Sequence, residues 1–277
     1  MAYLRKDRRQ WKHLTAIINK KIMNIVQSIF DSESGKVHII SIGQASFIIK
    51  TPKGKLIGID IYLSDFSERD EGHIGFKRML PKILGTKDII FDYLIATHPH
   101  SDHFDYDSMV DLMDNGHTKL FASLNCRQLS QKLGLPDNRI TYIKPGDSIS
   151  QDDFILNFVN CDHGEGAPDA VGVVITTGGK IIYETGDTCL RLDRADEINS
   201  IGHVDVLIGP INGAYGNMNE KDLALLSASL NPSLTIPCHY GMFASHYGLP
   251  GVFMNHMKEI CPENNYLIMT QGEILTL

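Results

Sequence analysis

The chain has 277 residues and a mass of 30.9 kDa, room for one large α/β domain or two small ones but not for a catalytic domain plus a full second module. Hydrophobic residues make up 43% and charged ones 21%, the balance of a chain able to bury a sizeable core. Asp and Glu number 33 against 26 Lys and Arg, a net charge of −7, which argues against a protein built to grip nucleic-acid backbone, and no apolar run approaches the ~18 residues of a membrane span.

The first 21 residues carry seven basic side chains against Asp7 alone, so the remainder holds a net −13. From Trp11 onward, Leu14, Ile17, Ile18, Ile22, Ile25, Val26, Ile29 and Phe30 fall at helical spacing and form one broad apolar face. Lys20 and Lys21 interrupt that stretch, so it does not read as a signal peptide. The expectation is a basic amphipathic helical extension over 1–35, ahead of a catalytic domain over 36–277. Its apolar face should pack on the domain's own surface or on a second copy in a homo-oligomer. Beyond Gly35 the chain reads as hairpins: Val37–Ile42 and Phe47–Lys50, then the turn Pro52-Lys53-Gly54 and a return strand over Leu56–Ile61. Tyr93–Thr97 is a short apolar run of the interior-strand kind. The segment from Asp105 to Asn115 has helical spacing, with Asp105 as N-cap and Gly116 just past its end. Further hairpins are expected from Ile140–Ile143 with Phe154–Val159, and from Val171–Thr176 with Lys180–Tyr183 across Gly178-Gly179. Helices are expected over Lys221–Leu230 and Val252–Ile260. The five cysteines are odd in number and show no CxxC spacing, which predicts neither a disulfide framework nor a cysteine zinc site but a reduced, cytoplasmic protein.

The chemistry concentrates in residues 97–105, Thr-His-Pro-His-Ser-Asp-His-Phe-Asp, directly after the interior strand and before a helix. In extended backbone His98 and His100, two positions apart, point the same way and can reach one cation. Where the chain turns into the helix, Asp102 and His103 can face a second. Imidazole and carboxylate donors suit Zn²⁺, Mn²⁺ or Fe²⁺ rather than Ca²⁺. Three further candidates stand at the ends of predicted strands: His163, Asp187 just after Gly186, and His239.

This order resembles the metallo-β-lactamase superfamily, whose pattern is HxHxDH, a lone His, a bridging Asp and a last His. The likeness runs from about Val37 to the C-terminus. It implies an α/β fold, an αββα sandwich of two central sheets flanked by helices, here with the extra N-terminal helix. It also implies two divalent metal ions per chain, Mn or Zn. His98, His100 and His163 would hold one ion; Asp102, His103 and His239 would hold the other; Asp187 would bridge both and Asp60 would support the site from behind. Hydrolysis by a hydroxide bound between the metals follows from the same likeness, with Asp102 as proton carrier. The chain after the last ligand would border the site's mouth, which makes His246 a candidate to meet the substrate. The segments around Asp205–Asn212 and Ile236–His239, with the Trp11 helix, resemble the cytosolic L-ascorbate-6-phosphate lactonase group, although Gln44 and Tyr240 depart from its pattern. The implied substrate is a small anionic sugar-phosphate lactone. A phosphodiesterase acting on a small nucleotide or lipid headgroup is the alternative.

Overall fold

A computed structural model of the chain describes residues 25–277. Among these residues two mixed sheets face each other. The first has seven strands in the order β13–β1–β2–β3–β4–β5–β6. These are β1 (His38–Gly43), β2 (Ser46–Lys50), β3 (Leu56–Ile59), β4 (Tyr93–Ala96), β5 (Lys119–Ser123), β6 (Ile140–Ile143) and β13 (Ile274–Thr276). The second has six, in the order β12–β11–β10–β9–β8–β7. They are β7 (Ser148–Ser150), β8 (Phe154–Asn160), β9 (Val171–Thr177), β10 (Lys180–Glu184), β11 (Val206–Pro210) and β12 (Leu234–Cys238).

Alternation along each strand builds the layers. Ile39, Phe47, Ile49, Ile57, Ile59 and Ile95 of the first sheet meet Phe158, Val171, Val173 and Ile175 of the second in a shared inner core. The intervening positions point outward. Ile40, Ile42, Ile48 and Leu94 pack beneath helices on one side, as Val174 and Leu207 do on the other. Each fully buried Ile or Phe removed from water is worth roughly 1.5–3 kcal/mol, so β-branched runs buried on both faces hold the sheets as inner layers. A helix over residues 25–31 (α1) and α3 (Tyr106–Met113) cover the first sheet, α2 (Phe66–Glu71) lies beside the site and α4 (Arg127–Lys132) follows β5. The outer face of the second sheet is covered by α5 (Ala195–Ile201), α6 (Glu220–Leu230) and α7 (Pro250–Ile260). The expected αββα sandwich is the observed one. No helix among the described residues is long and apolar enough to cross a membrane.

Residues 1–24 of the expected N-terminal helix lie outside the described residues. In its final turns Ile25 and Ile29 are buried, whereas Phe30 is exposed. Lys50 anchors this end: its ammonium donates to the carbonyls of Ile29 (2.8 Å), Phe30 (3.1 Å) and Ser32 (3.2 Å) and to Ser32 Oγ (2.9 Å). These are last-turn carbonyls that the helix itself leaves unpaired, and a cation suits that end of the helix. Lys50→Met should therefore cost about 1.5–3 kcal/mol, the range for hydrogen bonds to a buried charged group, read as a shift of the urea midpoint at constant m value.

Asp105 caps α3 as expected, accepting from Ser108 N. The hairpin β9–β10 forms across Gly178 and Gly179, both at positive φ (56° and 72°), as a tight two-residue connection demands. The other expected hairpin does not form. β6 adds in parallel to β5, while β8 lies in the opposite sheet between β7 and β9. The turn at Lys144–Asp147 carries the chain across the sandwich, with Gly146 N donating to Phe158 O and Phe158 N to Asp147 O. Apolar alternation is the same whichever sheet a strand joins, so spacing did not reveal the crossing. All five cysteines are free, and only Cys189 is exposed.

Candidate metal centre

The site lies where strand ends from both sheets meet. The loop from β4 to α3 supplies His98, His100, Asp102 and His103, and folds back on itself as His103 N and Phe104 N both donate to His100 O (2.9 and 2.7 Å). His163 follows β8, Asp187 follows β10 and His239 follows β12. At Gly186, φ 64°, an added Cβ would lie 2.7 Å from Val171 O, so the close turn that presents Asp187 requires glycine.

These seven side chains form two groups. His98 Nε2 and His163 Nε2 each lie 3.0 Å from His100 Nδ1. In the second group Asp187 Oδ2 is 3.3 Å from His103 Nε2 and 3.0 Å from His239 Nε2, and Asp102 Oδ2 is 3.4 Å from His239 Nε2. The same Asp187 oxygen stands 3.8 Å from His163 Nε2, between the groups. Ligands about 2.1 Å from a tetrahedral ion sit roughly 3.4 Å from one another, so both sets have the spacing of donors around a cation. The donor chemistry fits as well. His100 Nδ1 carries at most one proton and so can donate to only one of the two facing ring nitrogens, whereas a single cation among the three would take a lone pair from each.

Charge is balanced inside the cluster. Burial alone would raise the pKa of Asp102 and Asp187, yet His103 and His239 beside them hold both well below the usual carboxylate range. Conversely, burial opposes charge on His239, but Asp187 and Asp102 push its pKa up to about 9. Burial likewise lowers His98 far below the ordinary imidazole value and His163 to about 4, which leaves neutral rings with free lone pairs. A divalent ion in the second group would replace the ring protons, so binding there releases protons.

Support comes from behind. Asp60, fully buried at φ 47°, accepts from Thr97 N (2.8 Å) and Thr97 Oγ1 (2.6 Å), and its Oδ2 lies 2.7 Å from His103 Nδ1. A carboxylate behind a ring of this kind fixes its orientation and tautomer. Asn217 Nδ2 donates to Asp187 Oδ2 at 2.7 Å; sequence reading did not single it out, because it sits in an irregular loop with no motif around it. Gln44 had registered only as a departure from a pattern, yet its amide reaches Asp102 and His246. His246 lies beside the site, its ring stacked on His239 with centroids 4.9 Å apart.

The groups open into a cavity of about 220 Å³. Its outer wall includes Phe66, Phe76, Tyr106 and Tyr215 with the carboxylates of Asp70 and Glu71, and no Lys or Arg lines it among the described residues.

The sequence profile of the beta-lactamase superfamily domain matches residues 38–239. A UPF0173 metal-dependent hydrolase of Anaeromyxobacter dehalogenans is 28% identical over 230 residues, covering 78% of this chain and 79% of that protein. Another, from Thermodesulfovibrio yellowstonii, is 25% identical over 265 residues, with 88% and 93% covered. Among solved structures, the metallo hydrolase Igni18 from Ignicoccus hospitalis superposes with a TM-score of 0.68 at 22% identity, covering 87% of this chain and 98% of that one. A possible metal-dependent hydrolase from Veillonella parvula gives 0.69 at 19% identity, with 89% and 100% covered. At these identities the likeness to the solved structures establishes the fold.

Proposed function

Because the chain belongs to the beta-lactamase superfamily domain family, we propose that it is a metal-dependent hydrolase that opens an uncharged or cationic carboxylic ester or lactone. The observation carrying this reading is the convergence of two donor groups on one Asp187 oxygen at the floor of a single pocket. The description of the relatives as metal-dependent hydrolases supports the reaction class. His98, His100 and His163 would hold one divalent ion, Asp102, His103 and His239 the other, with Asp187 shared. Such a pair supplies a water that ionises near neutral pH and draws electrons from a substrate carbonyl.

The remaining work belongs to the chain's own groups. Asp102, which lines the pocket, would take a proton from the attacking water and pass it to the leaving alkoxide. Phe66 and Tyr106, with ring centroids 4.5 Å apart, and Phe76 and Tyr215, 5.8 Å apart, offer an apolar seat for the part of the substrate beyond the carbonyl.

Charge narrows the substrate class. A phosphorylated sugar lactone, the finer reading from sequence, asks for a cationic side chain to pair with its phosphate. The described lining offers none, and Asp70 and Glu71 would repel that group. The lactone chemistry is therefore kept, with a neutral or positively charged distal portion.

A panel of neutral and ammonium-bearing esters and lactones, a phosphorylated lactone and its parent, and bis-p-nitrophenyl phosphate, assayed separately with Mn²⁺ and Zn²⁺, tests this. Esters or lactones should exceed the diester in kcat/KM by at least ~10-fold, and the phosphate should not lower KM relative to the parent lactone. Faster diester turnover would make the protein a phosphodiesterase, and a lower KM for the phosphorylated lactone would restore the sugar-phosphate reading.

A further inference from the structure

The turn joining β1 to β2 carries Gln44 at φ 56°, a left-handed conformation that a side-chain-bearing residue adopts at a cost of about 1 kcal/mol or more. The turn delivers a neutral amide to the centre of the site. Gln44 is only 3% exposed, and its backbone carbonyl accepts from His239 N at 3.0 Å. Its Nε2 lies 2.9 Å from Asp102 Oδ2 and 3.0 Å from His246 Nδ1, and rests 3.2 Å from both ring nitrogens of His239.

The carboxylate decides which way the amide lies. An amide oxygen turned toward Asp102 would set two acceptors face to face, whereas the NH₂ group carries two protons for two acceptors. With one proton on Asp102 Oδ2 at 2.9 Å, the other has His246 Nδ1, at 3.0 Å, as its nearest acceptor. A ring nitrogen that accepts is bare, so in a neutral His246 the proton sits on Nε2. That nitrogen is buried and has no hydrogen-bond partner in the protein, and His246 lines the metal pocket. Phe76 and Phe243 stand edge-on to the same ring, each with centroids 5.1 Å away, and limit its freedom to turn.

We propose that Gln44 is a positioning residue whose amide ties Asp102 to His246 and holds His246 as the Nε2–H tautomer, so that His246 offers one aimed donor to the substrate oxygen that gains negative charge during hydrolysis. Only this last clause rests on the hydrolase reading; the tautomer and the tie to Asp102 follow from the hydrogen bonds alone. A neutral, fixed N–H donor strengthens as charge builds on the oxygen and needs no proton transfer of its own.

Long-range ¹H–¹⁵N spectra of the full-length protein labelled at histidine, with His246 assigned by difference against His246→Asn, read the tautomer without any substrate. The expected result is a protonated Nε2 and a bare Nδ1 in the wild type; a protonated Nδ1 would overturn the proposal. Gln44→Met keeps the side chain's length and removes both amide protons. Metal content by elemental analysis should stay at the wild-type value, kcat on the best ester or lactone should fall about 10- to 100-fold, and KM should change less than ~3-fold. In a His246→Ala background the same change should cost less than ~3-fold, because the group it positions is already gone. A full loss in both backgrounds would show that Gln44 does not act through His246. If the wild type turned over no ester or lactone, the functional reading would fail, while the spectra would still decide the tautomer.

Discussion

Replacing Asp187 with alanine is expected to remove at least one of the two ions that the donor groups would hold and to lower kcat/KM by ~10³-fold or more. The reason lies in a single atom. Asp187 Oδ2 faces His103 and His239 at 3.3 and 3.0 Å and His163 at 3.8 Å, so one carboxylate serves both donor groups. Removing it leaves Asp102 as the only carboxylate among the candidate ligands to offset two divalent cations. Asn217, which donates to that oxygen at 2.7 Å, would lose its acceptor in the same step. Elemental analysis and thermal melting on one preparation check the expectation. Two ions retained in a folded Asp187→Ala protein would mean that Asp187 does not bridge.

Asp60→Ala should have the second largest effect, although Asp60 belongs to neither donor group. Its carboxylate takes bonds from Thr97 N at 2.8 Å and Thr97 Oγ1 at 2.6 Å and faces His103 Nδ1 at 2.7 Å, with no exposed surface. Alanine would leave buried donors on Thr97 and His103 without acceptors, at a cost of roughly 3–5 kcal/mol. The loop carrying four of the seven candidate ligands starts at Thr97, so the loss is felt at the site as well as in the fold. Metal affinity should weaken about 10- to 100-fold, the usual penalty for removing a carboxylate behind a ligating ring. Competition with a metal indicator and urea unfolding measure the two effects separately. Asp60→Asn keeps the volume and one acceptor, and should lose metal affinity with a smaller stability change. Unaltered affinity in both variants would free His103 of any dependence on Asp60.

Local chemistry made much of the architecture legible. Asp105 announced the start of α3 because a short carboxylate before a helical repeat accepts the helix's free amide protons. Gly178-Gly179 announced a hairpin because only glycine enters two consecutive left-handed positions without cost. His98 and His100 could be paired on paper because two-residue spacing sets both side chains on one face of an extended chain. The connection after Ile143 was different: the same apolar alternation serves either sheet, and the choice was made by partners distant in sequence.

The sequence by itself determined the composition of the donor set and the alternation of the strands, because these depend on residue type and on spacing within a few positions; the sandwich followed from the family likeness those motifs carry. Tertiary structure alone decided that Asp187 faces two groups at once, that Asn217 holds its oxygen, that acidic and aromatic side chains rim the pocket without a lysine or arginine among the described residues, and that Gln44 reaches Asp102 and His246. Gln44 and His246 are 202 positions apart. Hydrogen bonds and repulsions act over about 3 Å, and only the closing of two sheets on each other brings such residues within that range.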